Sequence, residues 1–581
     1  MKKKIIISTL LAQMAIAPST YAYDIKGHLQ LRPDNSAECS DLIEFATQGK
    51  IDPYYKSSTR ANLDPLKTDG LIIQKDGEKV LEWYDGVANE DTSHVLWSAS
   101  KMLTATLLAR TVYEGTYYPT LNGPQKVTLD TKLKDFFPAP ARLKNNSIQK
   151  AHYEQITLGH LAEMSANFDW KEYYDGDITN SSFLPMLYLS GQKNMAEYAI
   201  QAPLNPEGPG HRWNYSGGNA NILAAVLAQI HQKPIYEIAN ELLFKPLGLK
   251  NAKIETDQSG HGVGSSYFYM TLNDMIKVGD LYLNKGINSQ GVRLLPESWV
   301  QEAQTLNTAL FELDPTQKNQ KAYSTTLDYI KKLGAPSRRI FWLNQNIIRQ
   351  DGEFSSNPAT GEVVKNKSGQ IEKILYPQEM PENPKDMYFA AGHYGQLIII
   401  IPSEKLVIAR TGYDLKYWDH IQPLVTKTLK CLKRGYEPIK VKDIVPPSAD
   451  PKQSLFGKIW SVVKQVPDLA TSIHYIRTEA LGAAIVAKEM CSFLYTMGAE
   501  NNIAEDQYVS EYYNRSGLPS ILLKLITSDL QYDINRSEKS VTANQYGYVT
   551  DPTYQESKRV IIKTIKAKMV NTNSGCRIIS N

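Results

Sequence analysis

Residues 95–113 read VLWSASKMLTATLLARTVY, an apolar lead followed by a helical pattern from 101 to 113. Ser98 and Lys101 fit the pattern Ser-x-x-Lys at the start of this helix, so their side chains lie one turn apart on one face. The amides of a helix N-terminus favour negative charge near the serine oxygen. Ser98 is therefore a candidate nucleophile. Three other matches lack this context: Ser147 with Lys150, Ser190 with Lys193, and Ser461 with Lys464.

Two later motifs accompany the first one. Residues 209–218 read PGHRWNYSGG and place Tyr215 just before a helical pattern at 219–232. Residues 392–396 read GHYGQ and lead directly into a strand, where glycine lets a ligand approach the strand edge closely. These segments are candidates for two further parts of the same cleft.

The order Ser-x-x-Lys, Tyr-Ser-Gly, His-x-Gly resembles that of serine hydrolases related to class C β-lactamases. This group also includes esterases, D-aminopeptidases and 6-aminohexanoate-dimer hydrolases. The stretches 157–170 and 269–286 resemble two further conserved segments of the group, and the resemblance covers roughly residues 60–430. It implies a β-lactamase-like fold and an acyl-enzyme mechanism without a metal or cofactor.

The resemblance assigns catalytic roles residue by residue. Ser98 is the nucleophile, and Lys101 and Tyr215 activate it and shuttle its proton, because a serine hydroxyl is a poor nucleophile until a base takes its proton. The backbone amides of Ser98 and Gln396 form the oxyanion hole. Because a tyrosine normally titrates near 10, we expect the charge of Lys101 to lower the pKa of Tyr215.

Binding roles follow in the same way, with two departures from the family pattern. His393 and Gly395 stand where β-lactamases have Lys-Thr-Gly, so a permanent cation is replaced by a histidine. Gly217 stands where class C enzymes have the asparagine of Tyr-x-Asn, which makes β-lactamase activity less favoured. Trp170 and Tyr173 are expected to shape the acyl pocket, with ordinary core packing as the alternative.

Strand patterns at both ends of this region enclose helical ones. Segments 71–74 and 79–84 form a hairpin around an Asp-Gly turn, and segments 396–401 and 406–410 form a second hairpin. We therefore predict an α+β fold, with an antiparallel sheet flanked by helices and an all-helical insertion. The helical patterns between the hairpins are 101–113, 157–164, 218–232, 272–283 and 296–304.

The remaining segments complete the predicted domain organisation. Residues 1–22, with three lysines, an apolar run and a small-residue end at Ala22, predict a cleaved signal peptide, and export to the periplasm or medium follows. The hydrolase domain then covers 23–434, and the proline-rich segment 435–453 is a linker. Residues 454–581 form a small C-terminal α+β domain, with a helix near 481–497 and strands near 541 and 559–569.

Composition excludes several alternatives. Lysine plus arginine (64) nearly balances aspartate plus glutamate (61), so nothing favours nucleic acid as a partner. No cysteine or histidine cluster has metal-ligand spacing, and no segment after the signal is suited to a stable membrane span. The four cysteines allow three disulfide patterns, or free thiols; we favour Cys39 with Cys431 and Cys491 with Cys576. The oligomeric state stays open.

The leading functional hypothesis is an exported serine hydrolase that cleaves an ester or amide bond of a small or short peptide-like substrate. Two alternatives remain. The chain is a non-catalytic cell-envelope binding protein that keeps the fold, or it is a penicillin-binding D,D-peptidase. The sequence identifies neither the acyl group nor the leaving group.

Overall fold

The computed structural model places the three motifs in one body. The predicted signal peptide, the predicted linker and Tyr173 lie outside the residues that the structure describes. The described residues are 27–29, 36–48, 68–84, 88–172, 180–307, 309, 329–330, 332–345, 347–349, 362–365, 371–376, 379–414, 417–433, 474–496, 530–550, 557–571 and 575–579.

An antiparallel sheet forms the centre of the predicted hydrolase domain, residues 23–434, which is called the hydrolase region below. The sheet joins the beginning and the end of this region, because the second strand of the second hairpin pairs with the first strand of the first hairpin. Both predicted hairpins are confirmed. Within the described ranges the sheet has eight strands, in the spatial order β1 (Gly27–Leu29), β3 (Glu78–Tyr84), β2 (Thr68–Lys75), β16 (Leu406–Gly412), β15 (Gln396–Ile401), β14 (Tyr388–Gly392), β10 (Trp342–Leu343) and β9 (Ala335–Pro336).

The central strands are apolar along their whole length. Every residue of β15 and β16 is buried, which is the pattern of strands covered on both faces rather than on one. Helix α10 (Leu272–Leu283) lies against β2, β15 and β16. Helix α1 (Ser36–Gln48) contacts β2 and packs against helix α12 (Trp418–Lys433). The sheet is therefore a rigid support for the segments at its edge.

The region between β3 and β14 is mostly helical, but the predicted all-helical insertion is corrected, because short strands pair within this region as well. Two short sheets accompany the helices, β4 (His94–Val95) with β8 (Phe268–Met270) and β7 (Lys253–Ile254), and β5 (Tyr117–Tyr118) with β6 (Gln125–Lys126). A third consists of β11 (Ile347–Arg349), β13 (Ile371–Tyr376) and β12 (Glu362–Lys365). The helices are α2 (Ser100–Tyr113), α3 (Ser147–Gln155), α4 (Leu158–Ala162), α5 (Phe183–Tyr188), α6 (Met195–Ile200), α7 (Gly217–His231), α8 (Ile235–Ala239), α9 (Lys245–Leu247) and α11 (Glu297–Glu302).

The described residues after 474 form a second α+β layer, here called the C-terminal unit. Helix α13 (His474–Cys491) continues into a wider turn, Ser492–Thr496, and packs against an antiparallel sheet. This confirms the predicted α+β character of the C-terminal part. The strands follow each other in the sheet as β17 (Leu530–Asn535), β18 (Ser540–Thr550), β19 (Ser557–Asn571) and β20 (Gly575–Ile579).

The two favoured disulfides are both present. Cys39 in α1 is bonded to Cys431 in α12, and Cys491 at the end of α13 is bonded to Cys576 in β20. Each bridge therefore lies within one predicted domain. Among the described helices, none combines the length and the apolar character that a membrane crossing requires.

Candidate active site

Ser98 lies on a tight turn between β4 and α2. The turn Trp97–Ala99 is a short 3₁₀ segment, and Trp97 has a φ of 47°, in the left-handed region that bulky residues rarely adopt. The Trp97 indole is fixed by the rings of Tyr267, His393 and Tyr394, with centroids 5.8 to 6.1 Å away. Packing around Trp97 thus holds a strained turn that presents Ser98 at the start of α2.

Lys101 is fully buried beside Ser98. Its Nζ donates to Ser98 Oγ at 2.9 Å and to the backbone oxygen of Ser265 at 3.2 Å, and it lies 3.1 Å from Glu172 Oε1. Burial lowers the pKa of Lys101, because a charged amine loses its hydration, while the negative charge of Glu172 opposes this effect. A lysine with a lowered pKa is suited to accept a proton from the serine.

Tyr215 reaches the same hydroxyl from the start of α7. Ser216 caps this helix through a bond from Asn219 N, which fixes the backbone next to Tyr215. The Tyr215 phenol is hydrogen-bonded to Ser98, and Lys101 Nζ lies 4.7 Å from the centre of its ring. The three residues, which come from two distant segments of the sequence, are therefore brought together.

The expected effect of Lys101 on the Tyr215 pKa is wrong. Burial and the nearby charge of Glu172 raise the pKa of Tyr215 well above its ordinary value. The sequence shows the cation, whereas the burial of Tyr215 and the nearby carboxylate appear only in the fold. Tyr215 is accordingly a neutral phenol at neutral pH, able to donate a hydrogen bond and to relay a proton.

Glu172 is the site residue that the sequence analysis missed. Its carboxylate is fully buried and accepts hydrogen bonds from the Trp170 indole and from Gly217 N, the latter at 2.8 Å. Its other oxygen faces Lys101. A buried carboxylate costs much free energy unless cations and donors surround it, and here all of these partners come from the candidate site.

The departure from Tyr-x-Asn was the available signal for Glu172. A Cβ at position 217 would lie 2.7 Å from the Phe183 ring and 2.9 Å from Glu172 Oε1. Only glycine therefore leaves room for the carboxylate.

The third motif, residues 392–396, lies where β14 ends and β15 begins, and the rings of His393 and Tyr394 contact Trp97 there. Burial lowers the pKa of His393 to about 4, so this imidazole is neutral at neutral pH. The carbonyl of Gly395 accepts a bond from Arg410 Nη1 at 2.8 Å, and the side-chain amide of Gln396 donates to Gly412 O at 2.6 Å. The roles of His393 and Gly395 in binding a substrate stay predictions. The same holds for the oxyanion hole formed by the backbone amides of Ser98 and Gln396.

Trp170 and a group of further aromatic residues surround the site. Trp170 is buried, donates its indole N–H to Glu172 and meets the Tyr198 ring edge-on, so the structure places it in the packing around Glu172. Its contact with an acyl group stays a prediction. On the other side of Tyr215 lie the rings of Trp213, Tyr329 and Trp342, with centroids 4.8 to 6.1 Å from the phenol ring.

The described part of the chain contains no group of three or more histidine, cysteine, aspartate or glutamate side chains that could hold a metal ion. The Lys101 amine and the Tyr215 phenol at Ser98 are arranged for proton transfer to and from its hydroxyl.

Comparisons with known proteins agree with the motifs. A family model described as Beta-lactamase matches residues 66–411. A 6-aminohexanoate-dimer hydrolase from Paenarthrobacter ureafaciens is 22% identical over 286 residues, which are 46% of this chain and 68% of that protein.

Two solved structures were also found similar to parts of this chain. A novel penicillin-binding protein homologue from Caulobacter crescentus has a TM-score of 0.44 and 13% identity, covering 70% of this chain and 100% of its own. A β-lactamase/D-alanine carboxypeptidase from Yersinia pestis has a TM-score of 0.40 and 14% identity, covering 63% of this chain and 94% of its own. Because the family model matches more than half of its residues, this chain belongs to the Beta-lactamase family of hydrolases.

Proposed function

We propose that this protein is an exported serine hydrolase that cleaves an ester or amide bond through an acyl-enzyme on Ser98. The observation that carries the proposal is the environment of one hydroxyl. Ser98 Oγ is contacted by Lys101 Nζ at 2.9 Å and by the Tyr215 phenol, at a strained turn that begins a helix. A serine with a base in hydrogen-bond reach is the arrangement of an activated nucleophile.

The proposed reaction has two steps. Ser98 Oγ attacks the substrate carbonyl carbon while its proton passes to neutral Lys101; the carbon–oxygen or carbon–nitrogen bond then breaks, and that proton reaches the leaving alcohol or amine through Tyr215. In the second step water attacks the acyl-enzyme and gives a proton to Lys101. A proton returned to Ser98 Oγ then completes the release of the acid.

Glu172 has a positioning role in this proposal. When Lys101 takes the serine proton it becomes a buried cation, and the carboxylate 3.1 Å away stabilises that charge. Glu172 also joins the segment that carries Tyr215 through Gly217 N. It therefore holds the base and the phenol in one geometry.

His393 supports an uncharged ester or amide over a β-lactam. The lysine of Lys-Thr-Gly is a permanent cation that would hold a substrate carboxylate, whereas the low pKa of His393 makes the corresponding group here neutral. A neutral imidazole attracts a carboxylate weakly, and the asparagine that contacts a β-lactam's acyl amide is replaced by Gly217. A short-chain ester or an amino-acid amide needs neither a cation for a substrate carboxylate nor an asparagine for a β-lactam's acyl amide.

Export is the second part of the proposal. It rests on the pattern of residues 1–22 and agrees with the two disulfides, which form in oxidising compartments. Sequencing the N-terminus of the protein recovered from the periplasm or medium should give Tyr23 as the first residue. Recovery of the uncleaved chain in the cytoplasm would contradict it.

A fluorophosphonate probe tests the nucleophile directly. The purified protein should be labelled on one residue, and mass spectrometry of its peptides should identify Ser98. Nitrophenyl esters and amino-acid anilides, assayed with the same sample, then separate esterase from amidase activity. A folded wild-type protein that takes up no probe would refute the proposal, and equal turnover by wild type and Ser98→Ala would favour a binding protein. Covalent labelling by a fluorescent penicillin would favour the D,D-peptidase.

A further inference from the structure

The C-terminal unit packs against the hydrolase region next to the candidate site. Two adjacent residues of α13, Lys488 and Glu489, are buried, and both bond to residues of the hydrolase region. Lys488 pairs with Glu255, which follows β7. One oxygen of Glu489 accepts hydrogen bonds from the phenols of Tyr188 and Tyr267, both at 2.9 Å.

Glu255 is held by two different elements of the C-terminal unit. Besides Lys488, it accepts bonds from Ser492 Oγ at 2.9 Å and from the backbone N–H of Cys576 at 2.8 Å. Gly575 has a φ of 61°, and a Cβ there would lie 2.3 Å from Glu255. The disulfide between Cys491 and Cys576 connects these two elements next to the carboxylate. The contact between Glu255 and the C-terminal unit is thus fully buried, and it requires a residue without a side chain at position 575, where β20 begins.

The segment 265–270 connects this contact to Ser98. On the side of the nucleophile, Ser265 O accepts from Lys101 Nζ, Phe268 O accepts from Leu96 N at 2.8 Å, and Phe268 N donates to Ser100 Oγ at 3.1 Å. On the other side, the Tyr267 phenol bonds to Glu489. One short segment therefore carries both sets of contacts.

Tyr267 is the side chain that both sides share. Its ring lies 5.8 Å from the Trp97 indole, next to Ser98, and Lys488 Nζ lies 4.0 Å from its centre on the side of the C-terminal unit. A cation over a ring face and a carboxylate on the hydroxyl fix both the plane and the rotation of the ring. Movement of Tyr267 would thus remove a support of the strained Trp97 turn.

We propose that Lys488 and Glu489 of the C-terminal unit are positioning residues of the catalytic site, which act through Tyr267 and Trp97 on Ser98. This inference rests on the proposed function for its kinetic consequence, but its structural part is independent of it. The C-terminal unit then supports the candidate site through its contacts with the hydrolase region of the same chain.

The test compares Glu489→Gln with Glu538→Gln in the full-length protein. Glu538 belongs to the same unit but forms an exposed ion pair with Lys566 at 2.6 Å, so it is a matched control. Glu489→Gln should lower kcat for a nitrophenyl ester roughly 10-fold, with KM changed less than about 2-fold, because a misplaced nucleophile slows the chemical step. The control should leave both constants unchanged.

Hydrogen exchange gives a readout that needs no activity. Peptides covering 94–101 and 264–270 should exchange faster in Glu489→Gln than in wild type, and equally in Glu538→Gln and wild type. Unchanged exchange in folded Glu489→Gln would overturn the inference. If that variant does not fold, Tyr267→Phe, which loses the bond to Glu489 and keeps the ring, decides by the same criterion. A wild type that takes up no phosphonate would refute the proposed hydrolase, and exchange would still test the coupling.

Discussion

The protein contains two buried clusters of the same three residue types. In one cluster Lys101 contacts Ser98 Oγ and Glu172, and in the other Lys488 contacts Ser492 Oγ and Glu255. The lysine–serine distances are nearly equal, 2.9 Å and 2.8 Å. The difference lies in the hydroxyl. Ser492 donates its hydrogen to Glu255, whereas Ser98 is bonded to Lys101 and Tyr215.

This difference shows that residue types alone do not make a nucleophile. Ser492 lies one turn after Lys488, at the start of the wider turn that follows α13, and the carboxylate that takes its hydrogen bond also binds Cys576 N. Ser98 lies on a strained turn, and the carboxylate of its cluster bonds to Trp170 and Gly217 instead. We interpret the first cluster as the catalytic one and the second as a contact between two parts of the chain, through which Lys488 helps to position the first.

The largest expected difference between the clusters is chemical. Ser98→Ala should abolish phosphonate labelling and lower kcat/KM for a nitrophenyl ester by roughly 10³-fold or more, because in the proposed mechanism Ser98 forms the acyl-enzyme. Ser492→Ala is the matched control and should keep labelling. Labelling of Ser492 in the wild type would reverse our interpretation of the two clusters.

Removal of the charge beside Lys101 should have the next largest effect. Glu172→Gln keeps the shape of the side chain but removes the charge that stabilises protonated Lys101, so the plateau of kcat/KM should fall roughly 10- to 100-fold. Steady-state kinetics, together with thermal unfolding to show that the variant is folded, measure this change. A plateau equal to that of wild type would exclude a role for Glu172.

The pH dependence of the same variant sharpens the assignment of the base. In the proposed mechanism the base is neutral Lys101. We therefore expect kcat/KM to rise with pH through a midpoint below the ordinary pKa of lysine, because burial lowers the Lys101 pKa. Glu172 raises this pKa, so its removal in Glu172→Gln should move the midpoint to lower pH. A shift to higher pH would show that a group other than Lys101 is titrating.

The smallest expected effect concerns the second cluster. Ser492→Ala removes the hydroxyl between Lys488 and Glu255 and should lower the free energy of unfolding by about 1–2 kcal/mol, with the phosphonate labelling rate unchanged within about 2-fold. Chemical denaturation measures the first quantity. Loss of labelling in this variant at full folding would mean that the hydroxyl itself serves catalysis.

Much of the fold was predictable because local signals agreed with one another. The Asp-Gly turn at residues 76–77 predicted the first hairpin, and the amphipathic pattern at 272–283 predicted α10 to the residue. The convergence of Ser98, Lys101 and Tyr215 followed from a resemblance to a known family, since nothing in their spacing brings residues 98 and 215 together. The short strand β1 and helix α1 were not predicted.

The rest depends on long-range packing. Glu172 lies in a polar stretch without periodicity, and its importance comes from Lys101 and Gly217, 71 and 45 residues away. The raised pKa of Tyr215 depends on burial that no motif encodes. The contact between Glu489 and Tyr267 spans 222 residues and two predicted domains, so the sequence indicated only that a C-terminal domain exists.

The position of β20 has a consequence for the order of events during synthesis. Glu255 accepts a hydrogen bond from Cys576 N, and Gln258 donates one to Ile578 O. Both partners lie more than 300 residues later in the chain. A ribosome completes Ser98, Lys101 and Tyr215 long before these partners exist, and domains generally fold in the order in which they are made. If the hydrolase region folds first, Glu255 stays hydrated until β20, the last strand that the structure describes, has been made and covers it.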